Sequence, residues 1–467
     1  MRFRSTHFLA TGFMLTLPGV CLAADAPASD APAVVVPTRP ELKAQLERSK
    51  QSNPRLPLPA PTDQEIAEAK ARFEEAKAKA GAGKGRNGAS GLGGGLVNNG
   101  RMRKLYLTEV TGGAAAGFSR EPDPALTLSP TLKTMFFWIV SRANNCTYCQ
   151  GHQESKLAAD GVTEDRIAAL DGDWSEYTPA ERAAFAFTLK LTREPQSIGD
   201  RDIDALRAHY NDLQILEILV TVAGNNAMNR WTGSLAIPQE AHRVYLTPTA
   251  EKYQALRSRV APLDPKADGP ACALPAERGA LETREQVEAA LVAARKRAPR
   301  LPLAGDDKAR ALLPEGWSDT SSSVPDWARL LANFPKAGKA WIAQVSNSRE
   351  KGKLSPKLRA EVAWVAARQD RAWYALGHAK KRLNALGLDD DAIYALDKPG
   401  GPAGPAERAA LAFARKLTVD PALMTDADFA VLRSHYSDQE VAELVYQVTQ
   451  AAYFDRLTEA SNLRLED

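Results

Sequence analysis

The stretch LSPTLKTMFFWIVSRANNCTYCQGHQESKL, residues 128–157, aligns without a gap to LSPKLRAEVAWVAARQDRAWYALGHAKKRL, residues 354–383. Both copies carry an apolar run, Leu132 to Val140 in the first. That run reads as a buried helix. In the first copy Asn144 supplies a capping side chain, and a second helix starting near Asn145 places Cys146, Cys149 and His152 on one face, because residues three apart are neighbours on a helix.

The offset of 226 residues persists. It carries TPAERAAFAFTLKLT onto GPAERAALAFARKLT, and LRAHYND onto LRSHYSD. A second pair, NPRLPL at Asn53 and APRLPL at Ala298, extends each copy upstream. Duplication of a whole module is the expectation, with unit 1 over 38–262 (core 100–245) and unit 2 over 283–467 (core 326–467). Residues 263–282, rich in Pro, Ala and Gly, read as a linker, and the Gly-rich run after Gly81 as a flexible segment lacking a Walker ending, since Gly85 follows Lys84. The periodicities are helical throughout. PAERAAFAFTLKLT spaces Ala183, Phe187 and Leu191 four apart, and Ser437 with Glu440 and Asn211 with Gln214 stand in capping-box register. Tyr106 to Val110 is the one weak strand-like stretch. The expected fold class is all-α.

Residues 1–24 have the form of a secretory signal: Arg2 and Arg4, an apolar run from Phe8 to Leu17, then a small-residue cleavage region that removes Cys21. The mature chain is expected in the periplasm or outside the cell, with no membrane span. With 60 basic and 57 acidic residues the net charge is +3, which gives no reason to expect nucleic acid as a partner. Three cysteines remain, too few for a disulfide-stapled fold, and Cys272 lies in the linker as an adventitious thiol. A thiol in the first turn of a helix meets the positive end of the backbone dipole, and a thiol beside imidazole has a base nearby, so both cysteines of the pair are drawn towards thiolate. Zinc would need a fourth ligand for which no spacing is visible, and Gln150 after Cys149 excludes the haem-attachment pattern, so neither metal nor cofactor is expected.

Cys-x-Tyr-Cys followed by His after an apolar helix, then HYND and AGNNAMNRWTGSLAIP, resembles the carboxymuconolactone decarboxylase and alkylhydroperoxidase D (AhpD) superfamily over about residues 128–240, with a degenerate copy over 354–463. The resemblance implies two tandem AhpD-like helical domains, a tendency to homo-oligomerise, and thiol chemistry on a peroxide or disulfide substrate with an unknown thiol reductant. It makes Cys149 the attacking thiol, Cys146 its resolving partner and His152 the proton acceptor. The family's relay carboxylate would fall at Thr134, which leaves Glu154 and Glu217 as candidates. Tyr148 supports the site, and Asn225 and Asn229, absent from the second copy, are candidates for the pocket wall. The alternatives are a lactone decarboxylase that needs no thiols, and a binding or assembly module whose disulfide only pins a helix. His378 survives where Ala372 and Ala375 replace both cysteines, which leaves a structural role for His152 open beside the catalytic one, and Arg230 is matched by Arg456, which favours a fold-supporting ion pair over substrate binding.

Overall fold

The computed structural model describes residues 38–80, 96–111, 123–261, 280–398 and 404–466, apart from 242, 244, 246–247, 257, 316 and 318–322. The proposed signal segment and Cys272 lie outside these residues. Among the described residues the regular structure is α-helical with short 3₁₀ turns and no strand. Ten helices concern the site: α1 (Arg39–Arg48), α2 (Pro130–Ala143), α3 (Thr147–Ala159), α4 (Pro179–Arg193), α5 (Asp212–Ser234), α6 (Ala337–Glu350), α7 (Pro356–Asp370), α8 (Trp373–Ala385), α9 (Pro405–Val419) and α10 (Asp438–Ala460).

Helices α2 to α5 recur as α7 to α10, each start displaced by 226 residues. Local signals set these boundaries. Ser129 and Ser355 accept from the backbone N–H of Leu132 and Leu358, each with Pro at the first helical position. Capping boxes at Thr178, Asn211 and Ser437 open α4, α5 and α10. The chain turns from α2 into α3 through Asn145 and from α7 into α8 through Arg371, both left-handed with φ of 49° and 52°. Asn tolerates that conformation; Arg keeps it in the second copy because the helices on either side dictate the turn.

Two expectations require correction. Tyr106 to Val110 is not a strand: Asn98–Tyr106 and Thr108–Thr111 are helices, and Leu107 and Val110, three apart, both enter the core. Asn144 does not cap α3 either. It closes α2, its amide is held by Asn226 and Asn229, and the residue that caps α3 is Cys146.

Helices α5 and α10 pack along each other at the centre of the molecule and are buried over most of their length. Around α5 lie α2, α3 and α4; around α10 lie α7, α8 and α9. The contacts across the centre are reciprocal. Arg230 donates to the carbonyl of Thr418 at 2.8 Å, and Arg456 donates to that of Thr192 at 3.1 Å. Arg55 pairs with Asp426 at 2.8 Å, and Arg300 with Asp200 at 2.6 Å. Only Arg456 makes the expected ion pair, with Asp370 at 3.1 Å. Asn144 stands at the position that matches Asp370, and Arg230 bonds the carbonyls of Asn226 and Thr418 instead; burial and then the charge of Arg456 pull its pKa down to about 9.

Candidate functional site

Cys146 sits at the N-cap of α3, and its Sγ accepts the backbone N–H of Cys149 at 3.4 Å. One helical turn on, Cys149 lies on the same side. Between them stands Thr232, near the C-terminal end of α5, whose Oγ1 is 3.1 Å from the sulfur of Cys146 and 2.9 Å from that of Cys149. The cysteines are free thiols, 1% and 2% exposed.

Their proton affinities diverge. Burial pushes the Cys146 thiol up, but hydrogen bonds from Cys149, from Thr232 and from the backbone N–H groups of Cys149 and Tyr148 outweigh it and leave it below the usual thiol value. Cys149 is held well above that value by burial and by the neighbouring Cys146. Thr232 is suited to such a pair because its single hydroxyl both donates and accepts. With Cys146 ionised, the hydroxyl donates to that thiolate and accepts from the Cys149 thiol; otherwise it donates to the carbonyl of Met228 at 2.9 Å.

His152 faces away from this pair. Its Nε2 is 2.8 Å from Glu240 and its Nδ1 3.2 Å from Arg243. An arginine only donates, so Nδ1 accepts and Nε2 carries the proton to Glu240. Burial leads in lowering the His152 pKa to about 4, against the raising effect of Glu240. Both nitrogens are therefore occupied, and no hydrogen bond joins the ring to either sulfur. Glu240 also accepts from the Tyr148 hydroxyl at 2.8 Å and the Asn98 backbone at 3.0 Å, and its pKa lies far below the carboxylate range despite burial, because His152 and Arg243 donate to it. Tyr148 stacks on His152 at 4.3 Å. The group recurs without thiols: His378 and the Tyr374 hydroxyl meet Glu466 at 3.1 and 2.8 Å. This clasp ties Gln239, Glu240, Arg243 and Tyr245 to α3. Gln239 bonds the carbonyls of Thr147 and Tyr148, and a Cβ at Gly151 would overlap Gln239 and Tyr245, which explains the glycine.

Neither candidate relay carboxylate reaches His152. Glu154 is gripped by Arg39 of α1 through two 2.7 Å bonds and by the Trp138 indole at 2.6 Å. Glu217 binds the backbone N–H groups of Thr127 and Leu128 and the amine of Lys133 at the far end of α5, and Glu443 binds Lys353 and Leu354 in the same way. Asn229 belongs to the dithiol site: its amide accepts from Asn144 at 3.0 Å, donates to Ser141 at 3.3 Å, and favours the Cys149 thiolate by hydrogen bonding. Asn225 is buried one position round the helix, with an Nδ2 that has no partner.

Sequence reasoning missed Thr232, which carries no motif of its own, and Glu240. The latter had a signal: Glu240 and Glu466 stand 226 apart, as do His152 and His378. Among the described residues no group of three or more His, Cys, Asp and Glu is arranged to hold a metal ion, and no helix is long and apolar enough to cross a membrane.

An all-α fold with a vicinal dithiol at a helix N-terminus is thus the class that the architecture defines. Residues 126–190, which include both thiols, match the carboxymuconolactone decarboxylase family. Among solved structures the chain is similar to an alanine-for-cysteine variant of the debrominase Bmp8 in complex with 2,3,4-tribromopyrrole, at 16% identity over 42% of this chain and 94% of that one, with a TM-score of 0.29. A likeness that slight bears on neither fold nor function. No curated protein matches the chain.

Proposed function

We propose that the protein is an exported dithiol oxidoreductase that reduces a small peroxide, or a disulfide, through Cys146 and Cys149, and that the chain is two fused units of which only the first is redox-active. The observation that carries this reading is the sharing of one hydroxyl, that of Thr232, by two buried free thiols, one of them at the N-cap of α3. The order of attack differs from the expectation. Cys146, at the helix N-terminus and below the usual thiol pKa, is the attacking thiolate; Cys149, kept protonated, is the resolving thiol.

With a peroxide the Cys146 thiolate attacks one oxygen, the O–O bond breaks, and the departing alkoxide takes a proton from solvent to leave as alcohol or water. Cys146 is then a sulfenic acid. The Cys149 sulfur attacks it, its proton passes to the departing hydroxide, and water leaves as the disulfide forms. The products are one alcohol, one water and one disulfide, and an external thiol reductant restores the dithiol. His152, Glu240 and Tyr148 hold the wall of the site and take no part in proton transfer.

Mass spectrometry of single variants tests the assignment. Cys149→Ser should consume about one equivalent of hydrogen peroxide and stop at sulfenic acid on Cys146, while Cys146→Ser should be inert. The reverse pattern returns the attacking role to Cys149. A reduced wild-type protein inert to peroxides and disulfides alike removes the redox reading, and full activity on a lactone acid in the double Cys→Ser variant would replace it with decarboxylation.

A further inference from the structure

In the first half of the chain Tyr245 is buried between α1 and α3. Its ring packs on Leu42 and Leu46 with the Lys50 amine 5.5 Å from its centroid, and its hydroxyl, which lies over Gly151, donates to Gln239 at 2.7 Å. Two residues earlier Arg243 donates to Glu240 at 2.8 Å and to His152 at 3.2 Å. A phenol ring and a guanidinium thus cover this face of α3. In the second half the corresponding wall surrounds a cavity of about 510 Å³. The helix Arg284–Ala294 repeats α1 at the 245-residue offset of NPRLPL and APRLPL, and it packs on α8 as α1 packs on α3. It brings Leu291 to the cavity in the place of Leu46, Val292 in that of Glu47 and Arg295 in that of Lys50. At the 226-residue offset Gly377, His378, Leu465 and Glu466 take the places of Gly151, His152, Gln239 and Glu240. Among the described residues neither Tyr245 nor Arg243 has a counterpart, and Gly377 and His378 are half-buried where Gly151 and His152 are buried.

The differences between the two walls define what the second one fits. Glu240 accepts from a backbone N–H, a tyrosine hydroxyl, a histidine and the Arg243 guanidinium. Glu466 has the first three kinds of partner, from Asp326, Tyr374 and His378 at 2.6, 2.8 and 3.1 Å, and lines the cavity where the cation would stand. Because Nε2 of His378 donates to Glu466, its Nδ1 is an acceptor, as Nδ1 of His152 is towards Arg243. The ring end has changed towards apolar. Leu465 replaces the acceptor of the Tyr245 hydroxyl, and Val292 replaces Glu47, which held the Tyr245 backbone N–H at 2.9 Å. Basic groups remain at that end: Arg295 stands where Lys50 meets the ring, and Lys381 where Ser155 lies beside the hydroxyl. A cation against an aromatic face is favourable. Lys380 is paired with Asp390 at 2.9 Å.

From this correspondence we infer that the cavity of the thiol-free half binds a small arylalkylamine, its bare ring set against Leu291, Val292 and Leu465 and its ammonium group donating to Glu466 and to Nδ1 of His378. The ring takes the place of Tyr245 and the ammonium that of Arg243. The volume lies within the range of small-molecule sites, roughly 300–1,000 Å³. The inference stands apart from the thiol chemistry of the first half.

Calorimetric titration and thermal denaturation of the full chain with 2-phenylethylamine test it, beside n-butylamine, which lacks the ring, and phenylacetate, which reverses the charge, at matched pH and ionic strength. Saturable binding of one equivalent of 2-phenylethylamine with a rise in Tm is expected, retained in the Cys146→Ser/Cys149→Ser double variant. Glu466→Gln removes the anion and should weaken binding about tenfold. Should that variant not fold, Val292→Trp, at a position 51% exposed, puts an indole into the ring site with Glu466 in place and should abolish binding. Absence of saturable 2-phenylethylamine binding by the wild type overturns the inference. So does equal affinity for n-butylamine or phenylacetate, or unchanged affinity in the folded variants.

Discussion

Thr232→Val is the most direct test of the dithiol arrangement, because valine keeps the shape of threonine and removes only the hydroxyl that both sulfurs share. A hydrogen bond to a charged group contributes about 1.5–3 kcal/mol, and one pKa unit corresponds to ~1.4 kcal/mol. Losing the 3.1 Å contact to Cys146 should therefore raise the pKa of that thiol by roughly 1–2 units. At a pH below the pKa of both proteins the thiolate fraction, and with it the rate of reaction with peroxide or iodoacetamide, should fall about 10- to 100-fold. The deficit should close at high pH, where both proteins are ionised. Fold stability should change by no more than about 1 kcal/mol, since the hydroxyl's other partner is a helical carbonyl. Thiolate absorbance against pH in the Cys149→Ser background isolates Cys146, and Thr232→Ser, which keeps the hydroxyl, should titrate as the parent does. An unmoved titration in Thr232→Val refutes the claim that this hydroxyl poises the pair.

Other perturbations probe the surrounding structure. His152 is neutral in the fold with a pKa of about 4, below its unfolded value of ~6.5, so the unfolded chain binds more protons between those limits. Stability should then be lost as pH falls from ~6.5 towards 4, by up to ~3 kcal/mol, and denaturant melts should show a flatter slope over that window in His152→Gln. Breaking the buried Arg39–Glu154 pair with Glu154→Ala should cost about 3–5 kcal/mol in urea unfolding while the Cys146 titration stays fixed; a shifted titration would restore Glu154 to the chemistry. A chain ending near Pro265 loses α10 from the face of α5 and should elute from size exclusion as dimers or larger species, whereas a stable monomer would show that α10 does not cover that face.

What could be read from the sequence was local or repeated. The capping registers at Asn211 and Ser437 fix helix starts within three residues of chain, and Cys146, Cys149 and His152 do fall at the N-cap and in the first two turns of one helix. Partners across the fold could not be read so. Thr232 is 83 residues from Cys149 and meets it only because α5 packs against α3. The direction of the imidazole was equally hidden: a histidine one turn from a thiol reads as its base until Glu240 and Arg243 claim both nitrogens. Asn144 read as a cap because nothing local showed Asn226 and Asn229 taking its amide.

The reciprocal contacts of Arg230 with Thr418 and of Arg456 with Thr192 are those of a two-fold interface, yet they join parts of one polypeptide. Two separate chains held by such contacts would part on dilution. Here the facing surface is always present, at an effective concentration on the order of millimolar for flexibly tethered partners, so the central α5–α10 contact does not depend on how much protein a compartment holds. Tethering also removes the problem of mixed assembly. When separate subunits diverge, like pairs compete with unlike ones, but in this chain a half with cysteines meets a half without them every time, and either can change without a matching change in the other.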